Sequence, residues 1–135
     1  MIVFENSFIF LDYDEEQSLV MFVYKPETTA HMTDEQFQEN MRQYADIVEQ
    51  NKPTRLIVDN RELRYTIIPE MQDWVSQEIA PRTTALKKLA FIVSKDLFAQ
   101  VSMEQMMEEK AVSEVYNVRY FDSFDEAKIW VFAKD

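Results

Sequence analysis

Apolar positions along the chain change period several times, and each change marks an element. Phe8 to Leu11 and Leu19 to Tyr24 read as two strands separated by the polar stretch Asp12 to Ser18, which predicts a hairpin. The chain has no glycine, so the Asn-Gly and Asp-Gly pairs of tight primed turns are absent and a longer loop is expected. Thr33-Asp34-Glu35-Gln36 then forms a capping box. Phe37, Met41, Tyr44, Ala45 and Val48 follow at i, i+4, i+7, i+8 and i+11, one stripe of a 3.6-residue helix. Lys52-Pro53 ends it.

Leu56-Ile57-Val58 is a short β-branched run closed by Asp59-Asn60, the pattern of a strand buried on both faces of a parallel sheet. A second helix is expected from Pro69, with Met71, Trp74, Val75 and Ile79 on one side, as far as Pro81. Leu89 to Val93 repeats the buried-strand pattern. Asp96 can cap a third helix, to which Leu97, Phe98, Val101, Met106 and Met107 lend apolar surface. Val118 to Phe121 is the last strand, followed by a second capping box at Ser123-Phe124-Asp125-Glu126 and a helix with Ala127, Trp130 and Val131 inward. The predicted fold is α/β: a single domain over residues 1–135 with a mixed sheet in the order β-β-α-β-α-β-α-β-α, its later strands parallel and joined by right-handed crossovers. No repeat, low-complexity tract or linker divides it.

Composition narrows the chemistry. With 135 residues, 47% hydrophobic and 13% aromatic, the chain can build a core of its own. Its formal net charge of -11 argues against a nucleic-acid partner. The absence of glycine removes Gly-rich phosphate loops, and the absence of cysteine with a single histidine removes thiol, zinc-thiolate and multi-histidine sites, so no cofactor or metal is expected. Met1 to Leu11 lacks the basic start and small-residue cleavage pattern of a signal peptide. No apolar run reaches the roughly 20 residues of a membrane span. A cytoplasmic location is the resulting expectation.

The element order, with the hairpin first and Leu56-Ile57-Val58-Asp59-Asn60 closing the strand after the first helix, resembles the STAS domains, in particular their SpoIIAA-like (STAS/SEC14-like) branch. The resemblance spans nearly the whole chain and implies a domain that binds partners. In the anti-sigma-factor antagonists of that family, an Asp-Ser or Asp-Thr pair at this turn carries a phosphorylatable hydroxyl. Asp59 matches the aspartate, but Asn60 stands in the acceptor position, and an amide cannot take a phosphoryl group. The resemblance therefore implies the binding surface without the phospho-switch.

Sites in open α/β sheets form at the carboxyl ends of the parallel strands. Here those loops are Asp59-Asn60-Arg61, Ser94-Lys95-Asp96 and Asp122-Ser123. Asp59, Asn60, Arg61, Ser94, Lys95 and Asp96 are the candidate residues for binding a protein partner, with Arg61 and Lys95 as donors. Asp96 and Ser123 also read as plain helix caps, and Asp59 as an acceptor for the amides of its own turn. The third helix is broad in apolar coverage: Phe98, Val101, Met103, Met106 and Met107 fit a homodimer contact or a small apolar ligand as well as a core. Trp74 and Trp130 read as core packing.

Three functions compete. The first is a non-enzymatic interaction module with no catalytic residue. The second, on the SEC14 side of the resemblance, is a carrier of a small apolar or amphipathic ligand. The third is an aspartyl-phosphate site of the receiver type, with Asp59 as nucleophile, Ser94 as the hydroxyl, and Asp12 or Asp14 on a divalent cation. His31, without a partner at informative spacing, and the pairs Glu15-Glu16 and Glu108-Glu109 read as solvated surface.

Overall fold

The computed structural model describes residues 1–109 and 116–134. Six strands form one sheet in strictly sequential order: β1 (Ile2–Glu5), β2 (Ile9–Asp14), β3 (Leu19–Tyr24), β4 (Arg55–Asp59), β5 (Lys88–Ile92) and β6 (Asn117–Phe121). β1, β2 and β3 pair antiparallel, and β3 to β6 run parallel. The α/β class and the mixed sheet match the sequence expectation. An additional first strand corrects the order, which begins β-β-β. Ile2-Val3-Phe4-Glu5 shows no alternation because β1 is an edge strand whose ends stay exposed, and a bulge lies between Ile2 and Phe4. The hairpin is also tighter than expected. β2 extends to Asp14, and the turn is only Glu15 to Ser18.

Without glycine, three of the described residues take a left-handed backbone themselves: Ser18 (φ 52°), Glu27 (φ 71°) and Lys52 (φ 50°). At the hairpin the Asp14 carboxylate supports the turn by accepting from the Gln17 backbone N–H at 3.2 Å and its side-chain amide at 2.6 Å. Lys52 is the C-cap of α1 (Asp34–Asn51), where its N–H donates to the Val48 carbonyl. A left-handed helix terminus favours glycine. Lys52→Gly is therefore expected to stabilise the protein by about 0.5–1 kcal/mol. A thermal midpoint that falls or stays level would contradict it.

The capping box at α1 is complete, with Thr33 and Gln36 each accepting from the other's backbone N–H. The second helical segment departs from expectation. Pro69 opens α2 (Pro69–Trp74) as predicted, but the chain then widens into a π-turn over Val75–Ile79 and tightens into a 3-10 turn over Ala80–Arg82. α3 (Leu97–Glu108) is capped by Asp96, which accepts from Ala99 N–H at 3.0 Å. α4 (Phe124–Phe132) carries half of its expected box: Ser123 accepts from Glu126 N–H at 3.2 Å, with no reciprocal bond described.

Sequential parallel strands joined by crossovers of one hand must place their connecting helices on one face. The main core is built there. Ile9, Leu11, Val20, Phe22, Leu56, Val58, Leu89 and Phe91 point toward Phe37, Met41, Tyr44 and Val48 of α1, Val75 and Ile79 of the π-turn, and Met103, Met106 and Met107 of α3. Among the described residues the opposite face is covered by α4, whose Ala127 and Val131 pack on Leu19, Ile57, Ala90 and Ile92. Cations hold the carboxyl end of α4, where the helix dipole is negative. The buried Lys88 donates from Nζ to the Trp130 and Ala133 carbonyls (3.2 and 2.7 Å), and Arg55 donates from Nε to that of Val131 (3.2 Å). Trp74 and Trp130 are partly buried against the two clusters, beneath Arg42 and beneath Lys88 and Arg119 respectively.

Candidate functional site

The carboxyl ends of β4 and β5 and the start of α3 bring the six candidate residues to one edge of the sheet. Asp59 is the last residue of β4. Its Oδ1 accepts from the Arg61 backbone N–H (3.1 Å) and from Arg61 Nε (3.0 Å), and its Oδ2 accepts from Nη2 (2.6 Å). A turn-closing carboxylate and a two-pronged ion pair thus occupy the same side chain. The bond to Asp59 raises the Arg61 pKa and holds the guanidinium protonated. Asp59 is buried while 47% of the Arg61 side chain remains exposed, so the arginine is the member of the pair that a partner would meet.

Asn60 requires a correction. Its side chain has no exposed surface, and neither its Oδ1 nor its Nδ2 meets a hydrogen-bond partner among the described residues. It cannot touch a partner in this arrangement. Its backbone stitches the edge together instead, donating to the Ile92 carbonyl at 3.0 Å and accepting from Leu63 N–H at 2.9 Å. Leaving a buried amide unpaired costs roughly 1–3 kcal/mol per group, and no contact in the structure explains why an amide stands here.

Ser94 and Asp96 serve local structure. The Ser94 hydroxyl donates to the Leu63 carbonyl (2.6 Å) and accepts from Asp96 N–H (3.0 Å), which pins the 60–68 loop against the start of α3. Lys95 is exposed and pairs with Glu62 at 3.0 Å, and Glu62 also faces Arg64 at 3.7 Å. The edge therefore carries Arg61, Arg64 and Lys95 against Asp59, Glu62 and Asp96. It is neutral on a chain of net charge -11.

α3 divides sharply. Met103, Met106 and Met107 are buried, so they form core and not the apolar surface expected of them. Phe98 and Val101 do reach the surface, together with Leu97: Leu97 is 71% exposed, Phe98 75% and Val101 43%. The period of the helix explains the division, since 97, 98 and 101 share the face opposite 99, 103, 106 and 107. The exposed apolar residues begin directly after the Ser94-Lys95-Asp96 loop.

Other candidates are not brought together. Asp12 and Asp14 lie on β2, where Asp14 pairs with Leu19 and Leu19 with Arg55 at the start of β4. Asp59 is at the far end of that strand, four residues or roughly 13 Å away. Among the described residues no cluster of three or more His, Cys, Asp or Glu side chains could hold a metal ion. His31 is exposed in a 3-10 turn at Thr29–His31. Glu15, Glu16 and Glu108 are exposed as expected, whereas Glu109 is half-buried; burial first, and then the nearby Asp73, raise its pKa.

Sequence reasoning missed a feature under α3. Between the sheet and the layer of α1, the π-turn and α3 lies an apolar cavity of about 50 Å³. No spacing could have revealed it, because its walls come from seven separate segments.

Among the described residues, no helix is long and apolar enough to cross a membrane. The chain matches no protein-family model, no curated protein and no solved structure.

Proposed function

We propose that the chain is a non-enzymatic interaction module of STAS-like type, acting in the cytoplasm, which binds a protein partner through the start of α3 and the neighbouring 59–64 and 94–96 loops. One observation carries this reading: Leu97 and Phe98, each more than 70% exposed, stand side by side on a helix whose other face already supplies the core. Packing does not require them, and adjacent exposed large apolar side chains mark interaction surfaces. Large apolar anchors set in a polar rim are the usual anatomy of such a surface. Here Arg61 and Lys95 supply the rim. Their carboxylate partners leave the edge neutral, so it is the part of this acidic protein least able to repel an acidic or amphipathic partner.

The resemblance to STAS domains rests on the hairpin preceding the parallel strands and on Asp59 closing β4. In this reading Asp59 is not a phosphoacceptor. Both its oxygens are engaged by Arg61, and Asp12 and Asp14 lie two strands away, level with Ile57 and Arg55 and not with Asp59.

The test is affinity purification of the tagged protein from its own host, comparing the wild type with Phe98→Asp and Arg61→Ala. A stoichiometric protein partner is expected with the wild type, at least tenfold reduced with Phe98→Asp and weakened with Arg61→Ala. The thermal midpoint of Phe98→Asp should stay within about 2 °C of the wild type, as for surface substitutions generally. Full retention of the partner by both variants, or turnover of any substrate in a broad activity panel, would sink the reading.

A further inference from the structure

The cavity beneath α3 combines three features that ordinary packing does not bring together. Its wall holds Met41, Met103, Met106 and Met107, four of the eight methionines in the chain. Methionine is unbranched and flexible, the side chain that re-packs most readily around a variable guest. The π-turn also lies on this wall: Val75 and Ile79, its first and last residues, both line the cavity. A widened helical turn leaves the regular bonding ladder and is commonly found at functional sites. The third feature is polar. Tyr24 lines the cavity and is only 4% exposed, yet among the described residues its hydroxyl meets no hydrogen-bond partner. Burial alone raises its pKa, so it stays a neutral donor. Of the other polar groups on the wall, the Thr83 hydroxyl lies against that of Tyr116, which also donates to the Ala80 carbonyl at 3.2 Å, and the buried Tyr44 phenol sits beside the same Thr83–Tyr116 pair.

We propose that this cavity is a binding site for a small, uncharged, chiefly apolar molecule bearing one oxygen that accepts a hydrogen bond from Tyr24. Charge is excluded, because no opposite charge lines the wall and an unpaired buried ion is far too costly. At about 50 Å³ the cavity is smaller than the roughly 150 Å³ of an apolar cavity that takes benzene. Occupancy by a single ring therefore requires the methionine side chains to move apart. The site is separate from the exposed face of α3 and does not depend on what binds there.

The whole chain, labelled with carbon-13 in its methionine methyl groups, is titrated at neutral pH with phenol and separately with toluene. The signals of Met41, Met103, Met106 and Met107 are expected to shift saturably with both probes, and those of the outlying Met1 and Met21 to stay still. Tyr24→Phe should weaken phenol at least fivefold and toluene less than twofold, which separates the hydroxyl contact from general packing. Val75→Ile, which adds a methylene to the wall, should weaken both probes at least tenfold. Absence of saturable shifts at the four cavity methionines up to the solubility of the probes overturns the proposal, as do equal shifts at all methionines. An equal effect of Tyr24→Phe on phenol and toluene also overturns it. If either variant fails to fold, the wild-type titration alone decides.

Discussion

Above about pH 10 the protein is expected to unfold in one cooperative step, with tyrosinate absorbance rising as helical circular dichroism falls. Burial raises the pKa of five tyrosines, Tyr24, Tyr44, Tyr65, Tyr116 and Tyr120. For Tyr65 a hydrogen bond donated to the Asp34 carboxylate adds to the effect. The sign follows from linkage. In the unfolded chain these phenols lose their protons near pH 10, while in the folded protein they keep them, so above that pH the unfolded state binds fewer protons and stability falls as pH rises. Their contribution is fully present below about pH 10 and is lost above it. Each such tyrosine gives a slope of at most about 1.4 kcal/mol per pH unit; the deeply buried Tyr24 and Tyr44 together approach about 3 kcal/mol per unit, and the less deeply enclosed Tyr65, Tyr116 and Tyr120 add smaller amounts. Against a total stability of about 5–15 kcal/mol, that places unfolding within a few pH units above 10. Absorbance near 295 nm and circular dichroism recorded on the same samples would check it. Tyrosinate appearing fully while the helices persist would show that these phenols are not held neutral by the fold.

Phe37→Ala is expected to cost roughly 3–5 kcal/mol, the range for deleting a fully buried aromatic side chain. Phe37 is 1% exposed, stacks on Tyr65 with ring centroids 5.0 Å apart, and lines the apolar cavity. Its removal therefore enlarges an existing hole, which argues for the upper part of that range, since the cost grows with the volume left empty. Urea denaturation should show a lower midpoint with an unchanged slope. A loss below about 1.5 kcal/mol would mean that the methionine-rich wall collapses into the gap. Phe98→Ala on the outer face of α3 is the internal contrast, expected to change stability by no more than about 0.5 kcal/mol.

That contrast shows what the sequence could and could not disclose. Asp96 and Ser123 were legible as caps and Thr33 with Gln36 as a complete box, because each is a matter of three or four adjacent residues. Leu56-Ile57-Val58 and Leu89 to Val93 were legible as central strands because burial on both faces leaves no polar alternation. β1 was not, since an edge strand with exposed ends has little pattern to show. Nor was the break at Val75, where the apolar spacing continues while the hydrogen bonding changes. The loops of the candidate site were correctly located from strand order, yet the roles within them depend on contacts across the chain. Ser94 is committed to Leu63, and Asp59 to Arg61. Asn60 turns inward, and the three methionines of α3 turn toward the core. Periodicity shows that a helix has an apolar side; which residues remain outside depends on where the sheet lies.

The cover that α4 gives the second face also bears on how the chain is made. With every strand pairing beside its predecessor, each new unit finds its docking edge already formed as synthesis proceeds, at about 5–20 residues per second. α4 is the exception. It follows all six strands yet reaches back over β5 and β4, so among the described residues nothing else covers Leu19, Ile57, Ala90 and Ile92 from the time their strands assemble until it arrives. During that interval the nascent protein presents a sticky apolar sheet face, and it is then that a chaperone has something to hold.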